Sequence, residues 1–275
     1  MINYNYYNFE KRGISMKSKL DKRRQLILSI LADVPISSTQ KLAEATNVSN
    51  ETIRKDLDAL ADEGRIIKVH GGVALAGDNI NEIPFDLRAA TNIDLKKRIA
   101  GQAVLLIQPE DTILLESCTT NLELAKKLLQ DPGLTDTLII ITNSFSIATA
   151  LEYGNKCKRM FFLGGWVNAR QYSALGHKTA KMLTDFHVSK SFISGAALSN
   201  QFVLSGYYDD DVEFQKNALT AAQETILMID SSKFSQTTIF TVAPLSQFDY
   251  LITDKALDKG EKAYLAEHKI DYIKA

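Results

Sequence analysis

The sequence predicts an α/β protein in two parts, an N-terminal winged helix-turn-helix followed by a Rossmann-like α/β domain, and three observations carry that expectation. Three short amphipathic segments lie close together between Lys17 and Gly64. Two β runs joined by a tight glycine turn come directly after them. Beyond residue 91, short apolar runs alternate with helix-period segments, the pattern of a parallel sheet covered by helices. At 275 residues the chain exceeds the common size of one domain, and its 45% hydrophobic and 24% charged content excludes wholesale disorder. No apolar run approaches the ~20 residues needed to cross a bilayer, and the start lacks the apolar core of a signal peptide, so a cytoplasmic location is expected.

Residues 1–16 mix Asn and Tyr without periodicity and are expected to form a disordered tail, although Met16, directly before the first periodic segment, also fits a start site assigned too far upstream. The DNA-binding part is expected over residues 17–75. Leu20, Ile27, Leu28 and Leu31 share one face of a first helix beside Lys22, Arg23 and Arg24, and Pro35 ends it. Ser37 with Gln40 forms a capping-box pattern that opens a second helix carrying Thr39, Leu42 and Ala45. Asn47 breaks that helix, and Ser49 caps a third whose Ile53, Leu57 and Leu60 share a face until Gly64 stops it. Ile66–Val69 and Val73–Leu75, joined at His70, Gly71 and Gly72, then read as a β wing.

This order places the third helix where it can enter a major groove. Opposite its apolar stripe stand Glu51, Thr52, Arg54 and Lys55, within reach of base edges or phosphates, while Ser49 and Asn50 sit at the electropositive N-terminus. Thr39 and Gln40 on the preceding helix, and Arg65, Lys68, His70 and Gly71 on the wing, complete the candidate surface for double-stranded DNA. A solvated face on a small three-helix core gives the same periodicity. Charge does not separate the two, since ten basic residues against eight acids leave Lys17–Gly72 at only +2.

Turn formers Gly77, Asp78, Asn79 and Asn81, with Pro84, predict a linker over 76–90 and an α/β domain over 91–275. Its strands are expected at Thr112–Leu115, Leu138–Thr142, Met160–Leu163, Phe192–Ile193, Ile226–Ile229 and Tyr250–Thr253. Several loops should then meet beyond the strands' carboxyl ends, where ligands bind in such sheets. Ser117, Cys118, Thr119 and Thr120 open a helix after the first strand, a favourable place for an anion. Asn143 and Ser144, Gly164 and Gly165, and Gly195 follow the next strands, although ordinary strand-to-helix caps explain each loop singly. Lys233, near Asp230, is either a phosphate counter-charge or a surface lysine. Cys118 and Cys157 form no CxxC, and His70, His177, His187 and His268 form no metal-spaced pair, so no metal or other cofactor is expected.

The string Arg54-Lys55-Asp56-Leu57, followed by Leu60, Gly64, Ile66 and the His70-Gly71-Gly72 turn, resembles the N-terminal domain of the DeoR family of bacterial transcriptional regulators. Phe85, Arg88, Asn92, Lys96, Ile99 and Ala100 resemble the family's entry into its effector-sensing domain; Thr119-Thr120, Thr142-Asn143, Gly164-Gly165 and Asp230-Ser231-Ser232-Lys233-Phe234 resemble its later motifs. The resemblance covers residues 17 to 255. It implies an operator-binding regulator, expected to be a homo-oligomeric repressor of sugar-metabolism genes rather than an enzyme. It also implies a sensor domain similar to ribose-5-phosphate isomerase that responds to a phosphorylated sugar, with Glu213 and Lys216 at family positions. A sugar-phosphate isomerase fused to a DNA-binding domain is the rival, with Glu116, Asp209, Asp210, Asp211 or Glu213 as its base. Where the family has Asp-x-Gly-Thr-Thr, this chain has Glu116-Ser117-Cys118-Thr119-Thr120, a longer acid and a side chain in place of glycine.

Overall fold

In the computed structural model, which describes residues 19–33, 37–69, 72–75, 85–153, 157 and 159–275, the chain divides between residues 83 and 84 into two units. The first holds α1 (Lys19–Asp33), α2 (Thr39–Thr46) and α3 (Asn50–Asp62), then β1 (Ile66–Val69) and β2 (Gly72–Leu75). Ile27, Leu31, Leu42, Ile53, Leu57, Leu60, Ile66 and Val73 form its core. Asn47 ends α2 in the left-handed region at φ 55°, and Ser49 Oγ accepts the Thr52 N–H at 3.2 Å to start α3. The two helices are therefore set at a fixed angle by three residues. Gly64, at φ +67°, supplies the conformation that releases the chain from α3 into β1.

Two expectations need correction here. Ser38, not Ser37, caps α2, accepting the Lys41 N–H at 3.2 Å. Buried Ser37 instead exchanges backbone hydrogen bonds with Val73 of β2, at 3.1 and 3.0 Å, tying the helical turn to the wing, and Gln40 turns to Glu44 rather than back to the cap. Leu20, on the same helical face as Ile27, is nonetheless 39% exposed. It lies in the first turn of α1, about 10 Å along the axis from Ile27 at 1.5 Å per residue, beyond the reach of the core. Pro35, His70 and Gly71, the tail, and linker residues 76–84 lie outside the described residues.

The second unit begins with α4 (Phe85–Ala90) and α5 (Ile93–Ala103), so the last part of the expected linker is helical. Phe85 is buried, with its ring edge-on to Tyr172 at 5.6 Å between centroids. There follow β3 (Thr112–Leu115), α6 (Thr119–Leu128), α7 (Pro132–Thr135), β4 (Ile139–Thr142), α8 (Phe145–Tyr153), β5 (Met160–Phe162), the hairpin β6 (Trp166–Asn168) and β7 (Ser173–Leu175), and α9 (His177–Met182). Next come β8 (Val188–Ile193), β9 (Ala197–Leu198), β10 (Val203–Gly206), α10 (Asp209–Ala221), β11 (Ala222–Met228), β12 (Phe240–Pro244), β13 (Tyr250–Thr253), α11 (Lys259–Glu267) and β14 (Asp271–Lys274).

Seven of these strands form one parallel sheet in the order β14-β13-β11-β8-β3-β4-β5. Alternate residues supply two layers: Leu114, Ile141, Ile193, Leu227 and Leu251 enter one, Ile113, Ile140, Phe192, Ile226 and Ile252 the other. Both faces are thus covered, which is why the strands read as apolar runs rather than as alternation. The order carries the functional consequence. The chain lays β4 and β5 to one side of β3, then crosses to lay β8, β11, β13 and β14 on the other. The crevice at the carboxyl ends of β3 and β8 is therefore the topological switch point.

Candidate functional sites

In the first unit, Asn50, Glu51, Arg54 and Lys55 stand exposed on α3, and Thr52 is half-buried beside the Ser49 cap. Lys55 pairs with Glu51 at 2.9 Å, one turn apart, with both side chains three-quarters or more exposed. Lys68 of the wing meets Asp58 at 2.6 Å, and Arg65 lies 3.9 Å from Glu63. These exposed pairs are weak and can open when a phosphate competes. Arg54 has no ion-pair partner among the described residues. Thr39 is half-buried in the first turn of α2, where Gln40 donates to Glu44 at 3.1 Å.

Sequence reasoning missed the polar cluster beneath this surface. Asp56, its side chain 3% exposed, accepts from Arg23 Nε and from Arg24 Nε at 3.5 Å, while Arg24 Nη1 also reaches Glu63 at 3.0 Å. Two arginines that count toward a basic surface are thus spent inside the unit, bracing α1 against α3. The available signal was the place of Asp56 between Ile53 and Leu57 on the buried flank of the helix.

In the second unit, Ser117, Cys118, Thr119 and Thr120 carry the chain from β3 into α6 at the switch point. Cys118 Sγ accepts the Asn121 N–H at 3.3 Å and so caps α6. Burial, reinforced by the charge of Glu116, pushes its thiol up to about 12, so Cys118 acts as a neutral cap and not as a nucleophile. The Ser117 N–H donates to Asn143 Oδ1 at 2.9 Å, and Asn143 Nδ2 donates to the Ala174 carbonyl at 3.0 Å, stitching the loops after β3 and β4 to the hairpin. Ser117 Oγ and the Oδ1 of fully buried Asn121 have no hydrogen-bond partner among the described residues.

At the end of β3, Glu116 Oε2 accepts the Ser194 N–H at 2.9 Å and Oε1 accepts from Gln215 of α10 at 2.6 Å. Burial outweighs both donors and pushes the carboxyl up to about 8, so that it is largely uncharged at neutral pH. Buried Lys96 of α5 donates Nζ to the carbonyls of Arg88 and Thr91, and burial brings its ammonium down to about 8, opposed by Asp230 and reinforced by Arg88 and Lys233. Lys233 follows β11 in a short 3-10 turn, with Asp230 accepting from Ser232 and from Asn92 Nδ2 at 3.3 Å. Arg88 and Lys233 each oppose the charged form of Lys96, so both cations lie near it.

The remaining predicted positions have structural work. Ser144 Oγ caps α8 through the Ile147 N–H at 3.3 Å. A Cβ on Gly165 would meet Thr179 Oγ1 at 1.8 Å, and one on Gly195 would meet Leu204 Cδ1 at 2.2 Å, so both glycines permit close packing; the Gly164 carbonyl accepts from Thr179 at 2.8 Å. Glu213 pairs with His177 at 2.6 Å rather than with exposed Lys216. Among the described residues no group of acids, histidines or cysteines could hold a metal ion, and no helix is long and apolar enough to cross a membrane.

Comparison with known proteins matches residues 23–78 to the DeoR-like helix-turn-helix domain and residues 91–255 to the DeoR C terminal sensor domain. An uncharacterised HTH-type transcriptional regulator of Escherichia coli K12, YgbI, is 31% identical over 92% of this chain and 97% of its own length. The glycerol-3-phosphate regulon repressor of the same organism is 26% identical over 92% of this chain and 98% of its own. Among solved structures, ribose 5-phosphate isomerase A of Methanocaldococcus jannaschii aligns at 19% identity over 52% of this chain and 55% of its own, with a TM-score of 0.38. With both family domains matched in order along one sequence, the chain belongs to the DeoR family of transcriptional regulators.

Proposed function

We propose that this regulator represses sugar-metabolism genes in the cytoplasm, binding its operator as a dimer with α3 in the major groove, and that a phosphorylated sugar in the β3–β8 crevice releases it. The observation that carries the effector reading is the switch point itself, where α6 begins at Thr119 after β3 and where the buried Lys96 ammonium, with Arg88 and Lys233 near it, is held on the carbonyls of Arg88 and Thr91. Positive charge, hydroxyls of Thr119 and Thr120 and a helix N-terminus together suit a phosphate monoester. Arg54 and Thr52 read base edges, Ser49 and Asn50 position the backbone, and Lys55, Arg65 and Lys68 exchange their exposed carboxylate partners for phosphates.

The enzyme reading finds less support. Glu116 is 6% exposed with both oxygens hydrogen-bonded, a poor position for a base that must reach a sugar carbon. Glu213 is engaged by His177, and the relatives bear the names of regulators. An operator shift assay with candidate sugar phosphates tests the proposal. Lys233→Ala is expected to leave operator binding unchanged while raising the effector needed for release roughly tenfold, because a charge-assisted contact contributes about 1.5 to 3 kcal/mol. Unchanged release would remove Lys233 from the site, and turnover of the sugar phosphate would favour the enzyme.

A further inference from the structure

We propose that strand β6 joins two copies of this chain, pairing edge to edge about a two-fold axis with Trp166 as the apolar anchor of the joint. The inference rests on the reading of the regulator as a dimer on its operator, and assigns the surface that makes that dimer. The two strands of the hairpin differ in burial. All of β7 is buried, with Ser173 and Ala174 at 1% exposure and Leu175 at 7%. In β6, Trp166 is 84% exposed and Val167 66%. Successive residues of a strand point to opposite faces, so β6 stands clear of the fold on both. Among the described residues it pairs with β7 alone, Trp166 opposite Leu175, which leaves its outer row of N–H and C=O groups open.

The strand is presented on a fixed base. The Ala174 N–H donates to the Asn143 carbonyl at 2.8 Å, and Asn143 Nδ2 donates to the Ala174 carbonyl at 3.0 Å, tying β7 to the loop after β4. Gly176, at φ +102°, brings its backbone against the indole: a Cβ there would lie 3.0 Å from Trp166 Cδ1. The ring is thus positioned along one edge while most of its surface faces water, and a pre-positioned tryptophan is a side chain on which interface energy concentrates. A second copy is the occupant that fits. An antiparallel edge is complementary to itself about a two-fold axis, and helix-turn-helix proteins read paired half-sites as two-fold dimers. The flank suits a copy as well, since α9 carries exposed Lys178 and Lys181, and α10, packed on α9, opens with exposed Asp209 and Asp210. A surface bearing both signs can set lysines against aspartates across the axis, whereas a surface of one sign repels its copy. Two covered indoles supply roughly 300 to 500 Å² of the about 1,200 to 2,000 Å² that a stable interface buries, so the charged flank takes part in the joint.

Sedimentation of the full chain, with the emission of its single tryptophan followed on dilution, tests this. Wild type is expected to sediment as a dimer, and its emission to shift to the red as dilution uncovers Trp166. Trp166→Ala and Val167→Lys, the second placing a charge on the open edge, are each expected to weaken the dimer roughly tenfold or more while keeping the far-UV circular dichroism of wild type. Variants that dimerise as wild type does, or an emission that stays fixed while wild type dissociates, refute this surface and leave the dimer reading standing. A 30.6 kDa species alone, with and without operator, overturns both. If both variants lose helical signal together with the dimer, Trp166 and Val167 serve the fold of the hairpin and the proposal falls.

Discussion

Replacing Asp56 with alanine is expected to unfold the DNA-binding unit selectively, and the magnitude follows from burial. The Asp56 side chain is 3% exposed, and the two arginines it joins are 20% and 21% exposed. Removing one partner of a buried ion pair costs about 3 to 5 kcal/mol because the remaining charges lose their compensation. Arg23 and Arg24 keep some solvent, and Arg24 keeps Glu63, so the lower end, about 3 kcal/mol, applies here. A unit of this size has roughly 3 to 8 kcal/mol of stability at ~0.05 to 0.15 kcal/mol per residue, so the loss is a large fraction of the whole. The assay is urea unfolding followed by two signals. Trp166 is the single tryptophan and lies in the second unit, whereas far-UV circular dichroism reports the helices of both. Asp56→Ala should advance part of the circular dichroism transition and leave the tryptophan transition in place. A helical transition within about 0.5 kcal/mol of wild type, the range of an ordinary surface substitution, would refute the reasoning.

Arg54→Ala should weaken specific operator binding by about 1 to 3 kcal/mol at fixed salt without moving either unfolding transition; retained affinity and selectivity would move the readout to other residues. Stability of the second unit should fall as pH rises from about 5 to 8, because the folded state keeps a proton on Glu116 that the unfolded chain gives up, and then rise toward pH 10 as unfolded Lys96 holds a proton that the folded state releases. Glu116→Gln should flatten the lower limb in a melting series, and a wild-type melting temperature that climbs between pH 5 and 8 would contradict the assignment. Light scattering should find at least a dimer at working concentration, since symmetric half-sites are read by symmetric proteins; a 30.6 kDa species alone, with and without operator, would oppose it.

What the sequence disclosed was local. Asn47, Ser49 and Gly64 announce the turns around α3 because each acts on its own backbone, and the central strands announce themselves because burial on both faces leaves unbroken apolar runs. The strands missed are β6, β7, β9, β10, β12 and β14, short segments whose partners are often remote; β9 has only two residues and pairs with β10 and not with the main sheet. Long-range polar contacts were equally silent. Arg23 and Asp56 are 33 positions apart, Glu116 and Ser194 are 78, and Glu116 and Gln215 are 99. The expected linker hid α4, since Pro84 and the turn formers before it say nothing of how Phe85 packs against Tyr172.

The two departures from the family motif have a joint physical consequence. The extra methylene of Glu116, about 1.5 Å longer than an aspartate, lets its carboxyl span to the Ser194 N–H and to Gln215, so the acid ties β3 to the loop after β8 and to α10. Cys118, in the position of glycine, places a sulfur on the Asn121 N–H and uses a backbone donor that a glycine would leave open. An anion at the start of α6 then meets fewer free N–H groups than the glycine motif offers, and more of its binding must come from side chains. The cations proposed to supply it, Arg88, Lys96 and Lys233, come from α4, α5 and the turn after β11. Affinity in this chain would thus depend on side chains from three elements more than on the helix end alone. Such contacts make a switch only where they differ between two states, because a ligand shifts a conformational equilibrium only by as much as its affinity differs between them.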